Sequence, residues 1–254
     1  MTDAELAARR RESLWLRAGV AFVWLATGLL VLHPTYRAIG GSYLDRLGIP
    51  AWIMPATCAF EIGLGLWVLA KPATAEVTLL QLSMVASFTL ILIRIDPRLL
   101  VNPFGMLTKN VPILVCVAAA WGLEREGSSK RVRRLLRVGM AFIWLSEGLL
   151  PKILFQQTEE LHIVEGLGLA FGAPRHTLLA IGLAQLASGV LALVLRGRPL
   201  RLLLGAQIAA LIALPIVVST QVPWLWFHPF GPFIKNAPII CGTSLLLWRY
   251  SSPS

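Results

Sequence analysis

The chain has 254 residues, of which 56% are hydrophobic and only 14% charged, with a mean hydropathy of +0.71. Soluble domains carry about 45–50% apolar and about 25% charged residues, so an ordinary soluble enzyme, a disordered chain and a nucleic-acid-binding domain are excluded. The 23 Lys+Arg against 13 Asp+Glu leave +10, and the placement of those charges points to lipid.

A membrane helix needs about 20 mostly apolar residues to cross the hydrocarbon core. Eight segments meet that length, over 14–33, 51–70, 75–95, 104–123, 135–152, 175–195, 200–220 and 230–249. The expected fold is therefore an all-α integral membrane protein, since a helix pairs its own backbone groups within the bilayer. Strands of a β-barrel would be about 9–11 residues and alternating. Residues 1–13, with Arg9, Arg10 and Arg11, resemble the start of a signal peptide. No Ala-x-Ala-like cleavage site follows, so the first segment is expected to be retained.

Fifteen Lys and Arg fall on one side of the alternating loops and eight on the other. The positive-inside rule then places both termini in the cytoplasm, as for a bacterial inner-membrane protein. Trp15, Trp67, Trp121 and Trp248 fall near the inner ends of segments, and Trp52, Trp224 and Trp226 near the outer ends, the pattern of an aromatic belt. Cys58, Cys116 and Cys241 lie inside segments and far apart in sequence, so they offer neither a redox pair nor a metal cluster. His33, His162, His176 and His228 lack helical metal-ligand spacing, and surface or capping roles are expected for them.

The sequence is internally duplicated. RAGVAFVWLATGLL (17–30) recurs as RVGMAFIWLSEGLL (137–150), identical at nine of 14 positions. NPFGMLTKNVPI (102–113) recurs as HPFGPFIKNAPI (228–239), identical at seven of 12. LGIP (47–50) is also echoed by FGAP (171–174). The expected organisation is a cytoplasmic segment 1–13, a four-helix repeat 14–123, a basic linker 124–134 and a second four-helix repeat 135–250. Four spans per repeat make the repeats parallel, related by an axis along the membrane normal.

Charged groups inside a bilayer are costly and face a bundle interior, a partner or a cavity. Glu61 and Glu147 are the carboxylates deep within segments, and Glu147 precedes Pro151 and Lys152 by about one turn. The copies differ here: Glu61 corresponds to Gln185, Glu147 to Thr27, and Lys152 to Leu32. One functional cavity, or two diverged ones, is expected. A structural ion pair and a ligand-binding role are both open for these groups. Gln81, Gln185 and Gln207 also suit hydrogen bonds between helices.

From Pro112 to Leu123, and from Pro238 to Arg249, there are only 12 residues, about 18 Å of helix. Either the helix continues outward through a proline kink, or the PFGxxxKN stretch is partly unwound. Interrupted segments at matching positions of two repeats point to a binding site. Lys109 and Lys235 stand near a helix N-terminus, where the dipole disfavours a cation. They require an anion nearby or must snorkel to the surface. The expected constellation is Lys109, Asn110 and Glu61, mirrored by Lys235, Asn236 and Gln185, with Trp24 and Trp144 as walls. The loop QQTEELHIVE (156–165) suits an interfacial helix.

GLLPK at 148–152, the acidic Glu61 and the twice-occurring PFGxxxKNxP resemble the DoxX-like family of small four-helix membrane proteins. The resemblance implies a four-helix bundle for each copy. Relatives commonly carry a first-helix lysine and a second-helix glutamate in one unit, whereas here Glu61 and Lys152 are split between copies. The wider superfamily includes a membrane subunit tied to thiosulfate–quinone oxidation, other redox-associated subunits, and animal proteins that assist receptor assembly.

The leading expectation is a non-enzymatic module holding a small molecule, a lipid or a partner helix in an outward-leaning cavity. A membrane subunit of a quinone-linked oxidoreductase, with quinone as ligand, is the alternative, and small-solute transport a third reading. The partners expected are the lipid bilayer, a quinone or lipid ligand, and a membrane protein; nucleic acid is not one. No autonomous catalytic motif is present.

Overall fold

The computed structural model describes residues 2–125, 129–169 and 172–251. Part of the expected linker (126–128) and Phe171 of the FGAP echo lie outside the described residues. Among the described residues the chain is all-helical.

A capping box opens α1 (Asp3–Leu29): Thr2 Oγ1 accepts from the Glu5 N–H while the Glu5 carboxylate accepts from the Thr2 N–H. Helix therefore begins within the stretch 1–13 that the sequence reading set apart. Pro34 starts α2 (Pro34–Leu47), where its missing N–H costs nothing, and Gly48 ends it in the left-handed region at φ +64°. Half of this helix's residues are exposed and it is too short and polar for a span, so hydropathy gave no sign of it. α3 (Ile53–Ala70) and α4 (Ala75–Ile95) follow, the latter capped by Thr74.

α5 (Asn110–Glu124) starts six residues later than the expected segment 104–123, and α10 (Asn236–Ser251) starts six later than 230–249. The preceding PFG stretch is irregular in both copies, the unwound alternative rather than the kinked one. Its turn needs positive φ at Gly105 (+67°) and Gly231 (+52°), a conformation open to glycine and adverse to other residues. Between them lie α6 (Ser129–Leu149), α7 (Thr158–Gly166), α8 (Pro174–Val194) and α9 (Gly197–Ser219). The chain bends by 95° between the end of the α6 segment at Leu154 and α7. α7 occupies the loop expected to be interfacial, and its Glu160, Ile163 and Val164 are buried.

α1, α5, α6 and α10 form the centre, packed pairwise around Leu16, Cys116, Leu136 and Ile239. α3 packs on α1, α4 on α5, α8 on α6 and α9 on α10. These flanking helices turn apolar side chains such as Leu66, Leu90, Leu202 and Ile216 outward. Close helix approach rests on a matched pair of glycines. A Cβ on Gly28 would lie 2.6 Å from the Cys58 carbonyl, and one on Gly148 2.5 Å from the Gly182 carbonyl. Small residues at helix crossings serve this purpose in membranes. Among the described residues five helices are long and apolar enough to cross a bilayer, or six with the bent pair counted as one span.

Candidate functional site: two cavities with exchanged lysines

Two cavities flank the central helices. The first, of about 290 Å³, is lined by Trp24, Thr27, Glu61, Asn110 and Lys235 among apolar groups. The second, of about 180 Å³, is lined by Trp144, Glu147, Lys152, Gln185, Lys109 and Asn236, together with Glu160 from α7. All eight residues singled out in the sequence line one cavity or the other. Their grouping differs from expectation: Lys235 joins Glu61 and Asn110, whereas Lys109 joins Gln185 and Asn236. The lysines are exchanged between the copies.

The irregular PFG stretches explain the exchange. Lys109 Nζ donates to the Pro232 carbonyl at 2.7 Å, and Lys235 Nζ donates to the Met106 carbonyl at 2.8 Å. Pro232 and Met106 are themselves corresponding positions of the motif. Each lysine therefore crosses to the other copy's loop and takes a carbonyl left over by its turns: the carbonyls of Gly105 and Leu107, and of Gly231 and Phe233, already accept backbone N–H groups. Neither snorkels, for Lys109 is 7% exposed and Lys235 8%. A Cβ on Gly105 would lie 2.8 Å from Glu147 Oε1, so the first copy's loop seats directly on the second copy's carboxylate. Thr108 Oγ1 donates to that same oxygen at 2.7 Å.

The asparagines stay with their own copy. Pro215 inside α9 lacks the N–H that would bond the Leu211 carbonyl, and Asn236 Nδ2 donates to that carbonyl at 2.9 Å. Thr89 holds the position of Pro215 in the first copy. There Asn110 Nδ2 donates to Thr89 Oγ1 at 2.8 Å, and that hydroxyl donates to the Val85 carbonyl at 2.6 Å. One carbonyl is served directly in one copy and through a hydroxyl in the other.

Lys152 meets Glu160 at 2.8 Å, with side chains only 8% and 9% exposed. Glu160 escaped the sequence reading because it sits in a polar loop outside the segments. A buried lysine without a counterpart in the other copy was the signal that it needed an acid nearby. With Glu160 counted, the second cavity holds Glu147 and Glu160 against Lys109 and Lys152, and the first holds Glu61 against Lys235. Both are balanced in formal charge.

The tryptophans differ. Trp24 Nε1 donates to Gln81 Oε1 at 3.1 Å. In the second copy Gln207 Nε2 turns instead to Ser188 Oγ at 2.9 Å, and Trp144 Nε1 and Gln207 Oε1 are both buried without a hydrogen-bond partner. Gln185 Oε1, Asn236 Oδ1 and Glu160 Oε2 are orphaned in the same way. Four of the second cavity's lining residues thus carry an unmatched polar atom, against Glu61 Oε2 alone in the first.

Two histidines have local roles. His33 Nδ1 accepts from the Thr35 N–H and caps α2. Burial, with Lys235 nearby, pushes His228 down to about 4, so a neutral Nδ1 accepts from the Phe230 N–H at 3.2 Å. Among the described residues no three His, Cys, Asp or Glu groups converge as a metal site.

Long apolar helices around two largely apolar cavities with a few buried polar groups, entered by a twice-occurring loop motif, define a helical membrane protein with an internal repeat in its sequence. The family model for the DoxX-like family matches residues 21–118 and again 141–243. The chain belongs to the DoxX-like family. Both copies of the PFGxxxKNxP motif and all eight sequence-predicted site residues lie within the matched segments. No curated protein matches the chain, and no solved structure does.

Proposed function

We propose that the protein is a non-enzymatic membrane module that binds a small amphipathic molecule, a lipid or lipid-like ligand, in the second cavity. The observation that carries this reading is the set of orphaned polar atoms on Trp144, Gln185, Asn236 and Glu160 around one largely apolar space. Unpaired buried polar groups each cost about 1–3 kcal/mol, and a ligand head group supplying one acceptor and several donors would satisfy them. The first cavity has diverged from it, keeping Glu61 and closing its tryptophan onto Gln81. Trp144→Phe keeps the ring and removes the donor. Native mass spectrometry of protein purified in mild detergent should then show a retained ligand in the wild type and roughly tenfold less in the variant, as loss of one hydrogen bond implies. Absence of ligand from both would contradict the reading.

A membrane subunit of a quinone-linked oxidoreductase is the second reading. The Trp144 N–H is a donor that a quinone carbonyl would accept, and solvent extraction of the same preparation separates the two by yielding a stoichiometric quinone or another lipid. Small-solute transport draws support only from the irregular starts of α5 and α10.

The topology belongs to this proposal. Eight spans in two parallel four-helix repeats, covering 14–123 and 135–250 about the linker 124–134, put both termini in the cytoplasm of a bacterial inner-membrane protein. Support comes from the fifteen-to-eight split of basic residues and from α5 and α10, which lie at the bundle centre with their irregular stretches ahead of them. A cysteine at the exposed Ser42 position should react with an impermeant maleimide added to intact cells, and one at Arg198 only after lysis. The reverse pattern inverts the topology.

A further inference from the structure

The ends of the two copies near the chain termini differ in a way that the cavities do not explain. In the first copy Arg17 Nη1 donates to the Val68 carbonyl at 3.1 Å, and its Nε stands 3.4 Å from Glu124 Oε1. Glu124 also accepts from the Ala73 N–H at 2.6 Å and from the Ser13 hydroxyl. The carboxylate thus closes this end, leaving a space of only about 10 Å³ beside Arg17 and Lys71.

In the second copy Arg137 repeats the role of Arg17. Its Nε donates to the Ala192 carbonyl at 2.6 Å, the counterpart of Val68, and its Nη2 to the Leu195 carbonyl at 2.5 Å. The offset of 126 between the PFGxxxKNxP motifs puts Tyr250 where the first copy has Glu124. The carboxylate is gone. Arg137 Nη1 reaches the Tyr250 hydroxyl at 3.4 Å, and the Arg133 and Arg137 guanidiniums stand 5.5 and 5.9 Å from the Tyr250 ring centroid. What opens is a pocket of about 490 Å³ lined by Lys130, Arg133, Arg134, Arg137, Arg196 and Tyr250. Among the described residues its lining holds five cations and no carboxylate.

Five like charges around one concavity repel one another and attract a polyvalent anion. Arginine presents a planar fork of donors that matches phosphate oxygens, and basic pockets at helix ends are suited to lipid phosphates. We propose that this pocket binds the phosphate group of an anionic ligand. That chemistry has two sources, the headgroup of a phospholipid and a free phosphate compound.

Protein in nanodiscs containing equal phosphatidylglycerol and phosphatidylcholine, analysed by native mass spectrometry, tests it. The wild type should retain phosphatidylglycerol at least tenfold over the Arg133→Gln, Arg134→Gln, Arg196→Gln triple variant. Arg10→Gln, Arg11→Gln, Arg125→Gln removes the same charge from exposed positions elsewhere and should change retention less than twofold. Lysine at 133, 134 and 196 keeps the charge and should restore at least half of the binding, separating loss of the site from loss of the fold. If inorganic pyrophosphate displaces the lipid, a free phosphate compound is the better ligand; if it does not, the lipid headgroup is. Equal retention of the two phospholipids together with no binding of pyrophosphate, or equal losses in the two glutamine variants, overturns the proposal.

Discussion

Lys152→Met should destabilise the protein in detergent by about 3–5 kcal/mol, because it leaves Glu160 buried without its cation. The Lys152→Met, Glu160→Leu double variant should recover most of that loss, since an apolar pair of similar volume avoids desolvating two charges. Thermal unfolding of the two variants beside the wild type measures both effects. The reason for the size is burial: at 8% and 9% exposure neither side chain has water to replace its partner. A surface pair of the same geometry would be worth about 0–1 kcal/mol. If the single variant is as stable as the wild type, the pair is not buried in the membrane and α7 does not close the second cavity.

The second large effect concerns the exchanged lysines. Lys109→Met removes the donor to the Pro232 carbonyl and should cost about 1–3 kcal/mol. The informative quantity is its coupling to the carboxylates. Lys109 interacts with Glu147, and Lys235 with Glu61. A double-mutant cycle of Lys109→Met with Glu147→Gln should therefore show a coupling of about 0.5–3 kcal/mol. The cycle of Lys109→Met with Glu61→Gln should be additive within about 0.5 kcal/mol. Coupling to Glu61 instead would restore the arrangement that sequence order suggests, each lysine serving its own copy.

That contrast marks what the sequence could and could not reveal. Hydropathy and the repeated motifs identified the membrane class, the duplication and eight polar residues that line the two cavities. The side chains were legible because polar groups in apolar segments are expensive and therefore conspicuous. Their grouping was not legible, because the loops of 102–109 and 228–235 cross between copies, and sequence proximity favours partners within one copy. α2 was missed because it is short, polar and half exposed, so neither length nor hydropathy distinguishes it from a loop. Glu160 was missed because it stands in α7 among polar residues that read as an interfacial stretch, where its burial leaves no mark in the sequence. The substitution of Tyr250 for Glu124 was in plain view, but it acquires meaning only once Arg17 and Arg137 are seen to hold corresponding carbonyls.

Divergence between the copies runs through both ends of the molecule. In the first copy Trp24 closes onto Gln81 and Arg17 pairs with Glu124. In the second copy Trp144 has no partner and Arg137 faces an open basic pocket. The contrast lies in the cavities: one lining residue of the first, Glu61, carries an unmatched polar atom, against Trp144, Gln185, Asn236 and Glu160 in the second.

A cryo-electron microscopy map of the protein, purified with its native lipids and resolved well enough to show side chains, tests this most directly. Continuous density is expected in the second cavity, with a polar head within hydrogen-bond reach of Trp144 Nε1, Gln185 Oε1 and Asn236 Oδ1 and an apolar body leading outward. An empty cavity in which Trp144 has closed onto Gln207, as Trp24 does onto Gln81, would contradict it.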